Sequence, residues 1–377
     1  MDDVVVVGGG PAGAVTALVL ARAGARVRVF ERARFPRHKL CGDTLNPGAL
    51  ALLARHLDTG PLIAMSDPIE GMVLTGPGGV RVEGRYGRGL TGRAITRSVL
   101  DDWLLRQAAA AGAQVEEGAR VTGLTRDGGV VTGVTLARGD ARTAAHRAAI
   151  VIAADGRRSA IAFGEGLARQ PARPRRWAVG AYFAGVEGLS ACGEMHVRAG
   201  HYLGVAPVPG GLANACLVLP HQGGHGALPP PARLLTRYLA ADPELRSRFA
   251  HASIEGPPVM LGPMAVDGLA AGVPGVLLAG DAAGFIDPMT GDGLRLAMAG
   301  GELAAAVALD VLGGRLTVSR AHEALATRRR ALFQAKWRFN RTLRALVAQP
   351  RGVAFAAAGA RVAPSIFEGF IRYAGDC

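Results

Sequence analysis

Apolar and polar positions change period several times along this chain, and each change marks an element. Residues 3–8, DVVVVG, form a short unbroken apolar run closed by glycine, the pattern of a strand buried on both faces. PAGAVTALVLARAG continues as a helix that Gly24 stops, and RVRVFER returns to a strand ending at Glu31. Alternation in GMVLTGPGGVRVEGRY, residues 71–86, around a Gly-Pro-Gly-Gly turn, predicts a hairpin. The same period recurs between about 177 and 219, and residues 119–150, with turns at Asp127-Gly128-Gly129 and Gly139-Asp140, predict a β-meander. Pro-rich GALPPPAR, residues 226–233, is a loop before helical residues 234–250. Residues 328–347 have helical spacing, with Leu332, Phe339, Leu343 and Leu346 near one face and basic residues over much of the rest. No internal repeat is present.

This order predicts two interleaved units and a tail, which a length of 377 residues accommodates. An α/β nucleotide-binding unit takes residues 1–65, 90–165 and 255–315, and an inserted antiparallel sheet takes 66–89 and 166–254, giving the whole an α+β composite character. Residues 316–377 form a helical region whose apolar end, VAFAAAGARVAPSIFEGFI, lines the substrate entrance or packs as core.

Composition narrows the function classes. Apolar residues make up 49% and charged residues 19%, an ordinary globular balance. The start, MDDVVVVGGG, lacks the basic flank and cleavage site of a signal peptide, and no run approaches the ~20 apolar residues needed to span a bilayer, so a cytoplasmic protein is expected. The net charge of +13 is carried by arginine, with only Lys39 and Lys336 as lysines, and no nucleic-acid recognition module accompanies it. The basic helix 328–347 offers a peripheral contact to a membrane surface or an acidic carrier, with packing on the nucleotide unit as the plainer alternative. Cys41, Cys192, Cys216 and Cys377 have neither CxxC spacing nor a His cluster, so neither a metal nor a disulfide framework is expected.

The chemistry begins at the first turn. Gly8, Gly10 and Gly13 stand in GxGxxG spacing between strand and helix, with Pro11 and Ala12 among them. Gly8 permits the turn, Gly10 lets backbone approach a pyrophosphate, and Gly13 packs helix on strand, in the Rossmann manner. The helix start faces phosphates with free N–H groups. Glu31, about twenty residues on, suits a ribose diol, with Arg32 beside it. Nicotinamide and flavin dinucleotides fit this end equally. The lack of a second glycine fingerprint points to FAD as the resident dinucleotide, with NAD(P)H as a transient reductant.

Three further stretches resemble flavoprotein hydroxylases of the group A monooxygenase and geranylgeranyl reductase superfamily. RAITRSVLDDWLLRQA, residues 93–108, is similar to the Arg-x-x-Leu-Asp element, giving Arg97 a place at the cofactor's phosphate or ribose. IVIAADGRRS, residues 150–159, resembles the Asp-Gly element through Asp155 and Gly156, near the pyrophosphate. LAGDAAGFIDPMTGDGLRLAM, residues 278–298, resembles the Gly-Asp element. The match implies Asp281 on the ribityl chain, Pro288 beside the flavin ring, and Thr290 to Leu294, including Gly291 and Gly293, at N1 and the C2 carbonyl. Val121 joins the cofactor set. The implied fold is a Rossmann-like FAD-binding domain of the p-hydroxybenzoate hydroxylase type with the inserted antiparallel substrate sheet and a C-terminal helical region.

FPRHKLCGDTLNPGALALL, residues 35–53, is similar to the Phe-Pro-x-x-Lys-x-Cys-Gly segment of the geranylgeranyl reductases, which implies Cys41 and Gly42 close to the flavin. HYLGVAPVPGGLANACLV, residues 201–218, resembles that family's Tyr-x-Trp-x-Phe-Pro turn, with Tyr202 and Pro207 kept but Gly204 and Ala206 in place of aromatics. These four are the substrate-pocket candidates, and the small residues imply a roomier pocket. Halogenation is disfavoured, because the Trp-x-Trp-x-Ile-Pro signature is missing. No catalytic acid or base is assigned, although His38, Asp43, His196, His201 and Tyr202 are available. The resemblance implies an FAD-dependent oxidoreductase acting on an apolar molecule. Hydroxylation of an aromatic or polyketide-like substrate ranks first and saturation of isoprenoid C=C bonds second, with a non-catalytic flavin-binding interaction protein as a reading of another class.

Overall fold

The computed structural model describes residues 1–377 apart from 88, 138–142, 173–175, 221–228, 286–288, 290, 348–351, 353–355, 357, 360, 361, 376 and 377, together with a few C-terminal side chains. Its helices are α1 (Pro11–Arg22), α2 (Pro47–Ala54), α3 (Gly60–Ala64), α4 (Arg97–Ala110), α5 (Ala160–Gly164), α6 (Pro231–Ala241), α7 (Gly293–Leu312), α8 (Ala321–Val347) and α9 (Pro364–Gly375).

The all-apolar run at the N-terminus becomes the strand Asp2–Val7 at the centre of a parallel sheet, between Val27–Glu31 on one side and the end of Thr143–Ala153 on the other. Val4, Val5 and Val6 are fully buried, as a strand covered on both faces requires. Thr143–Ala153 has two lives: residues 143–147 pair antiparallel with Val130–Ala137 in the expected meander, and residues 148–153 enter the parallel sheet. One long strand thereby fastens the meander to the nucleotide unit. Helix α1 packs on this sheet and against α7, where Gly301 lets the helices close. A Cβ there would lie 2.3 Å from the Ala12 carbonyl oxygen, and the Thr16 hydroxyl donates to the Gly301 carbonyl at 3.1 Å. Leu18 and Leu20, at most 1% exposed, each contribute ~2 kcal/mol by burial here.

The second sheet has seven strands, in the order Ser253–Leu261, Arg176–Ala184, Leu212–Pro220, His201–Val208, Cys192–Arg198, Gly71–Gly76 and Val80–Arg85. All neighbours are antiparallel except Cys192–Arg198 with Gly71–Gly76, which run parallel. Period-two alternation assigns its faces. Val179, Leu203 and Leu217 turn to one side, where Leu234, Leu235 and Leu239 of α6 complete a core. Ala178, Tyr202 and Val218 turn to the other, toward the nucleotide unit. Pairing of Ser253–Leu261 with Arg176–Ala184 carries this sheet beyond residue 254, the boundary expected from sequence.

Two helical expectations are corrected. The helix expected over 234–250 spans Pro231–Ala241, and the chain then leaves it at Asp242, whose backbone is extended. In α8 the buried positions are Ala321, Leu325, Arg329, Phe333, Lys336 and Asn340, whereas Leu332 is 52% exposed. The apolar residues chosen from sequence follow a helical period, but polar side chains with internal partners occupy much of the inward stripe. The Leu346 side chain, the Gly139-Asp140 turn, residues 226–228 of the Pro-rich loop and Cys377 lie outside what is described. Among the described residues no helix is long and apolar enough to cross a membrane, and no group of His, Cys, Asp or Glu could hold a metal ion.

Candidate functional site

The glycine turn shows a steric reason for lacking a side chain at two of its three positions. Gly8 has φ +99, and a Cβ there would meet the Ala154 carbonyl oxygen at 2.6 Å. Gly13 would place a Cβ 1.8 Å from the Gly8 carbonyl oxygen, so it serves helix-on-strand packing and does not line the pocket described below. Gly10 is uncrowded: the nearest atom to its Cβ position is the Arg37 Nη2, at 3.6 Å. Gly10 also precedes α1 without a side-chain cap, and Pro11 occupies the first helical position. The next N–H groups therefore point outward unpaired, as anion donors.

Glu31, 5% exposed, holds the turn in place: one carboxylate oxygen accepts the Gly9 N–H at 2.7 Å and the other the Ala33 N–H at 2.8 Å. Its carbonyl accepts the Ala119 N–H at 2.9 Å, which brings the strand that starts at Val121 beside it. Lone pairs are left on the carboxylate for a further donor. Arg32 is exposed.

Beside the turn lies a pocket of about 220 Å³ between the two units. Gly10, Pro11, Ala12, Cys41, Gly42, Arg97, Gly156, Asp281, Gly291, Gly293 and Leu294 all line it, gathered from five separate parts of the sequence. Gly8, Glu31, Arg32, Val121 and Asp155 do not. Pro288 and Thr290 fall outside the described residues. The far wall comes from the second sheet: Ala178, Met195, Tyr202, Gly204, Cys216 and Val218. Of the four substrate-pocket candidates, Tyr202 and Gly204 line it. Ala206 shares their face but lies beyond the lining. Pro207 is corrected: it pairs with Ala213, one residue out of phase with Tyr202 and Gly204, and so turns to the α6 side.

The electrostatics at the turn favour an anion. Arg97, 5% exposed, makes a bidentate pair with Asp101, at 2.7 Å for both bonds. Burial opposes its charge, but Asp101 and Cys41 outweigh burial and raise its pKa. Arg37 reaches the same Asp101 carboxylate at 3.1 Å, and its pKa is lowered by burial. The Lys39 ammonium, 4.0 Å from where a Cβ on Gly156 would be, is also lowered, by burial and then by Arg97. Arg97 and Arg37 thus share the Asp101 carboxylate, and Lys39 stands near them with Asp281 as its first acidic neighbour. Buried cations beside a helix N-terminus fit a pyrophosphate. Asp155 is consistent with a bound polar group: burial raises its pKa, and one of its oxygens is buried without a hydrogen bond. Uncrowded Cβ directions at Gly10, Gly42, Gly291 and Gly293 leave room for a flat ligand along this path.

Sequence reading missed Arg37 and Lys39 although both stand in the quoted 35–53 segment; Lys39 as one of two lysines in an arginine-rich chain was the available signal. It also left Asp43 without a role. Asp43 is fully buried and has φ +52, the one non-glycine in that region among the described residues. Its carboxylate accepts the Tyr182 hydroxyl and the Asn214 amide, both at 2.6 Å, and the Arg97 N–H at 3.2 Å. Burial nevertheless pushes its pKa up to about 6. Asn214 also donates to the Cys41 carbonyl at 2.8 Å, and the Cys216 thiol makes a 3.4 Å contact with the same oxygen. The Cys41–Gly42 segment is thereby pinned to the second sheet.

His196, offered as a candidate group, is fully buried between Thr75 and Glu194, at 2.9 and 3.0 Å. Burial pushes the Glu194 carboxyl up, but Arg248 and His196 hold it down at about 2. That network lies away from the pocket and fastens the sheet. His38 is exposed, and His201 stacks edge-on with Tyr238.

A family model described as an FAD binding domain matches residues 1–222. Over 331 residues the chain is 32% identical to digeranylgeranylglycerophospholipid reductase 1 of Methanopyrus kandleri, covering 82% of this chain and 81% of that one. A geranylgeranyl bacteriochlorophyll reductase-like protein from Thermoplasma acidophilum superimposes with a TM-score of 0.80 at 24% identity, over 93% of this chain and 89% of its own. The myxobacterial chondrochloren halogenase superimposes with a TM-score of 0.82 at 23% identity, over 90% and 81%. Both superpositions speak to the fold.

Proposed function

The chain belongs to the family of FAD-binding-domain flavoproteins, as an FAD-dependent oxidoreductase, and from that premise we propose that it saturates carbon–carbon double bonds in an apolar, isoprenoid-type substrate. The observation that carries this reading is the composition of the pocket's far wall, where Ala178, Met195, Val218, Leu261 and Met264 offer only apolar surface beside the flavin-binding residues. The similarity to a digeranylgeranylglycerophospholipid reductase, over 82% of this chain and 81% of that one, supports the substrate class. Hydroxylation, the first reading from sequence, is the second reading here, favoured by Gly204, which leaves breadth for a flat ring.

FAD reduced by NAD(P)H supplies a hydride when bound. The chain's own residues do the rest. Arg37, Lys39 and the first turn of α1 would hold the pyrophosphate, and Asp281 would hold the ribityl chain. The N-terminus of α7 would offer N–H groups and a positive dipole to the negative charge of reduced flavin. The apolar wall excludes water and orients the double bond. The proton for the second carbon resides on the Tyr202 hydroxyl or the thiols of Cys41 and Cys216; burial keeps Cys216 protonated by raising its pKa well above the usual thiol range.

The test is an anaerobic one. The purified flavoprotein is reduced with NAD(P)H and mixed with a polyprenyl lipid in the absence of oxygen. Return of the oxidised-flavin absorbance, with a product heavier by two hydrogens per double bond, is the expected result. Reoxidation that needs oxygen, with a product that gains an oxygen atom, replaces it with the hydroxylase reading.

A further inference from the structure

Cations around the pocket fall into two groups. Arg37 and Lys39 each lie within reach of Arg97 and of the Asp101 carboxylate, at the phosphate end. Arg157 also lines the pocket, but none of those groups acts on it. Burial lowers its pKa, the neighbouring Arg158 lowers it further, and Asp281 is the one acid that opposes them. Asp281 acts on Lys39 as well. It therefore stands between the phosphate cluster and Arg157, which places Arg157 past the residue assigned to the ribityl chain, toward the reacting end of the pocket.

The surroundings of Arg157 are those of a rim. It follows Asp155-Gly156 at the end of the strand Thr143–Ala153, where the last strand of the second sheet, Ser253–Leu261, returns to the nucleotide unit. Its Nη1 donates to the Pro263 carbonyl at 2.8 Å, and Arg158 donates to the Gly262 carbonyl, also at 2.8 Å. That turn is wedged on Trp177: a Cβ on Gly262 would lie 2.0 Å from the indole. Leu261 and Met264, on either side of the turn, belong to the apolar wall. Arg157 is half-buried and forms no ion pair with a carboxylate among the described residues. A guanidinium with N–H donors to spare thus stands at the border of an apolar surface.

We infer that Arg157 holds an anionic group, a phosphate or a carboxylate, at one end of an otherwise apolar substrate. The inference rests on the apolar-substrate reading above and adds a head to the chain. An anion at that place offsets the cost of burying a guanidinium with no counter-ion, and the planar fork suits two parallel hydrogen bonds to such a group. The cofactor's phosphates would take their donors at the first turn of α1, on the far side of Asp281. With the head at the rim, the chain lies on Met195, Val218 and Leu261, so each end of the ligand meets a surface of its own polarity.

The test is titration of the flavin-loaded protein with farnesyl phosphate, farnesol and inorganic phosphate, read from the flavin absorbance. Farnesyl phosphate should bind about ten- to a hundredfold more tightly than farnesol, the worth of a charge-assisted hydrogen bond, and inorganic phosphate should leave the spectrum unchanged. Arg157→Gln should bring ester and alcohol within about threefold of each other, and Arg157→Lys should restore part of the difference. Arg158→Gln is the control for a merely structural role: it loses the matching bond to the same turn but lies outside the pocket lining, so it should keep the full preference. Equal binding of ester and alcohol by the parent, a preference that survives Arg157→Gln, or its loss in both variants overturns the proposal. So does inorganic phosphate binding as tightly as the ester, or an Arg157→Gln protein that no longer retains FAD, since the guanidinium then serves a free anion or the cofactor. Saturation of farnesol without preference for the ester sinks this inference and leaves the reductase reading standing; preference for the ester without saturation does the reverse.

Discussion

Asp43 is buried behind the pocket wall, and Asp281 lines it. The Asp43 carboxyl keeps its proton up to about 6 when folded, against 3.8 when unfolded, so between those values the folded state binds more protons. Stability therefore falls as pH rises through that window, and the penalty stays at higher pH. Asp43→Asn removes it. The stability of the parent relative to that variant should drop by ~3 kcal/mol between about pH 4 and pH 7, read from denaturant melts. Parallel profiles for the two proteins would refute the assignment of this proton to Asp43. Asp281 lines the pocket at the end of the short turn Gly280–Ala283. Asp281→Ala should weaken FAD retention by about tenfold or more, the worth of one charge-assisted hydrogen bond to the ribityl chain. Normal flavin occupancy after dialysis would show that the residue makes no such contact.

Among the elements, the contact of α1 with α7 couples the phosphate turn to the flavin turn. It depends on Gly301, where any Cβ lands on the Ala12 carbonyl, and on Gly280, where a Cβ would meet the Ala12 side chain at 2.7 Å. Gly301→Leu should cost ~3 kcal/mol or more, since backbone cannot yield as a flexible side chain would. A thermal midpoint within a degree or two of the parent, with FAD still bound, would mean the helices part without penalty. Element type and order were largely legible for the nucleotide unit, because an all-apolar strand, a glycine turn and a capped helix each leave a local signature. The stripe of α8 was not legible: Arg329, Lys336 and Asn340 are inward because carbonyls and side chains of distant segments receive them. No local period carries that information.

In the whole molecule, the pocket exists only because the second sheet turns one face to the nucleotide unit. Gly204 lies on that face, and a Cβ there meets only carbonyl oxygens at 3.9 and 4.0 Å, so the strand tolerates a side chain that fills the pocket. Gly204→Trp should leave FAD occupancy unchanged and raise KM for a bulky substrate about ten- to a hundredfold, the scale of overpacking by ~1–3 kcal/mol. An unchanged KM would put the substrate elsewhere.

The sequence alone determined that the chain takes a dinucleotide near its first strand: the glycine spacing between strand and helix is a short-range pattern dictated by backbone geometry, and the Arg97, Asp155 and Asp281 stretches entered through their resemblance to flavoprotein hydroxylases. Tertiary structure decided the rest. Tyr182 and Asn214 meet Asp43 across more than a hundred residues of sequence, and Pro207 falls on the opposite face from Tyr202 because strand alternation is set by pairing register. The physical reason is the same in each case. A phosphate-binding turn is specified by the conformational freedom of adjacent residues, whereas a pocket wall and a buried carboxylate are specified by partners that only folding brings within hydrogen-bonding distance.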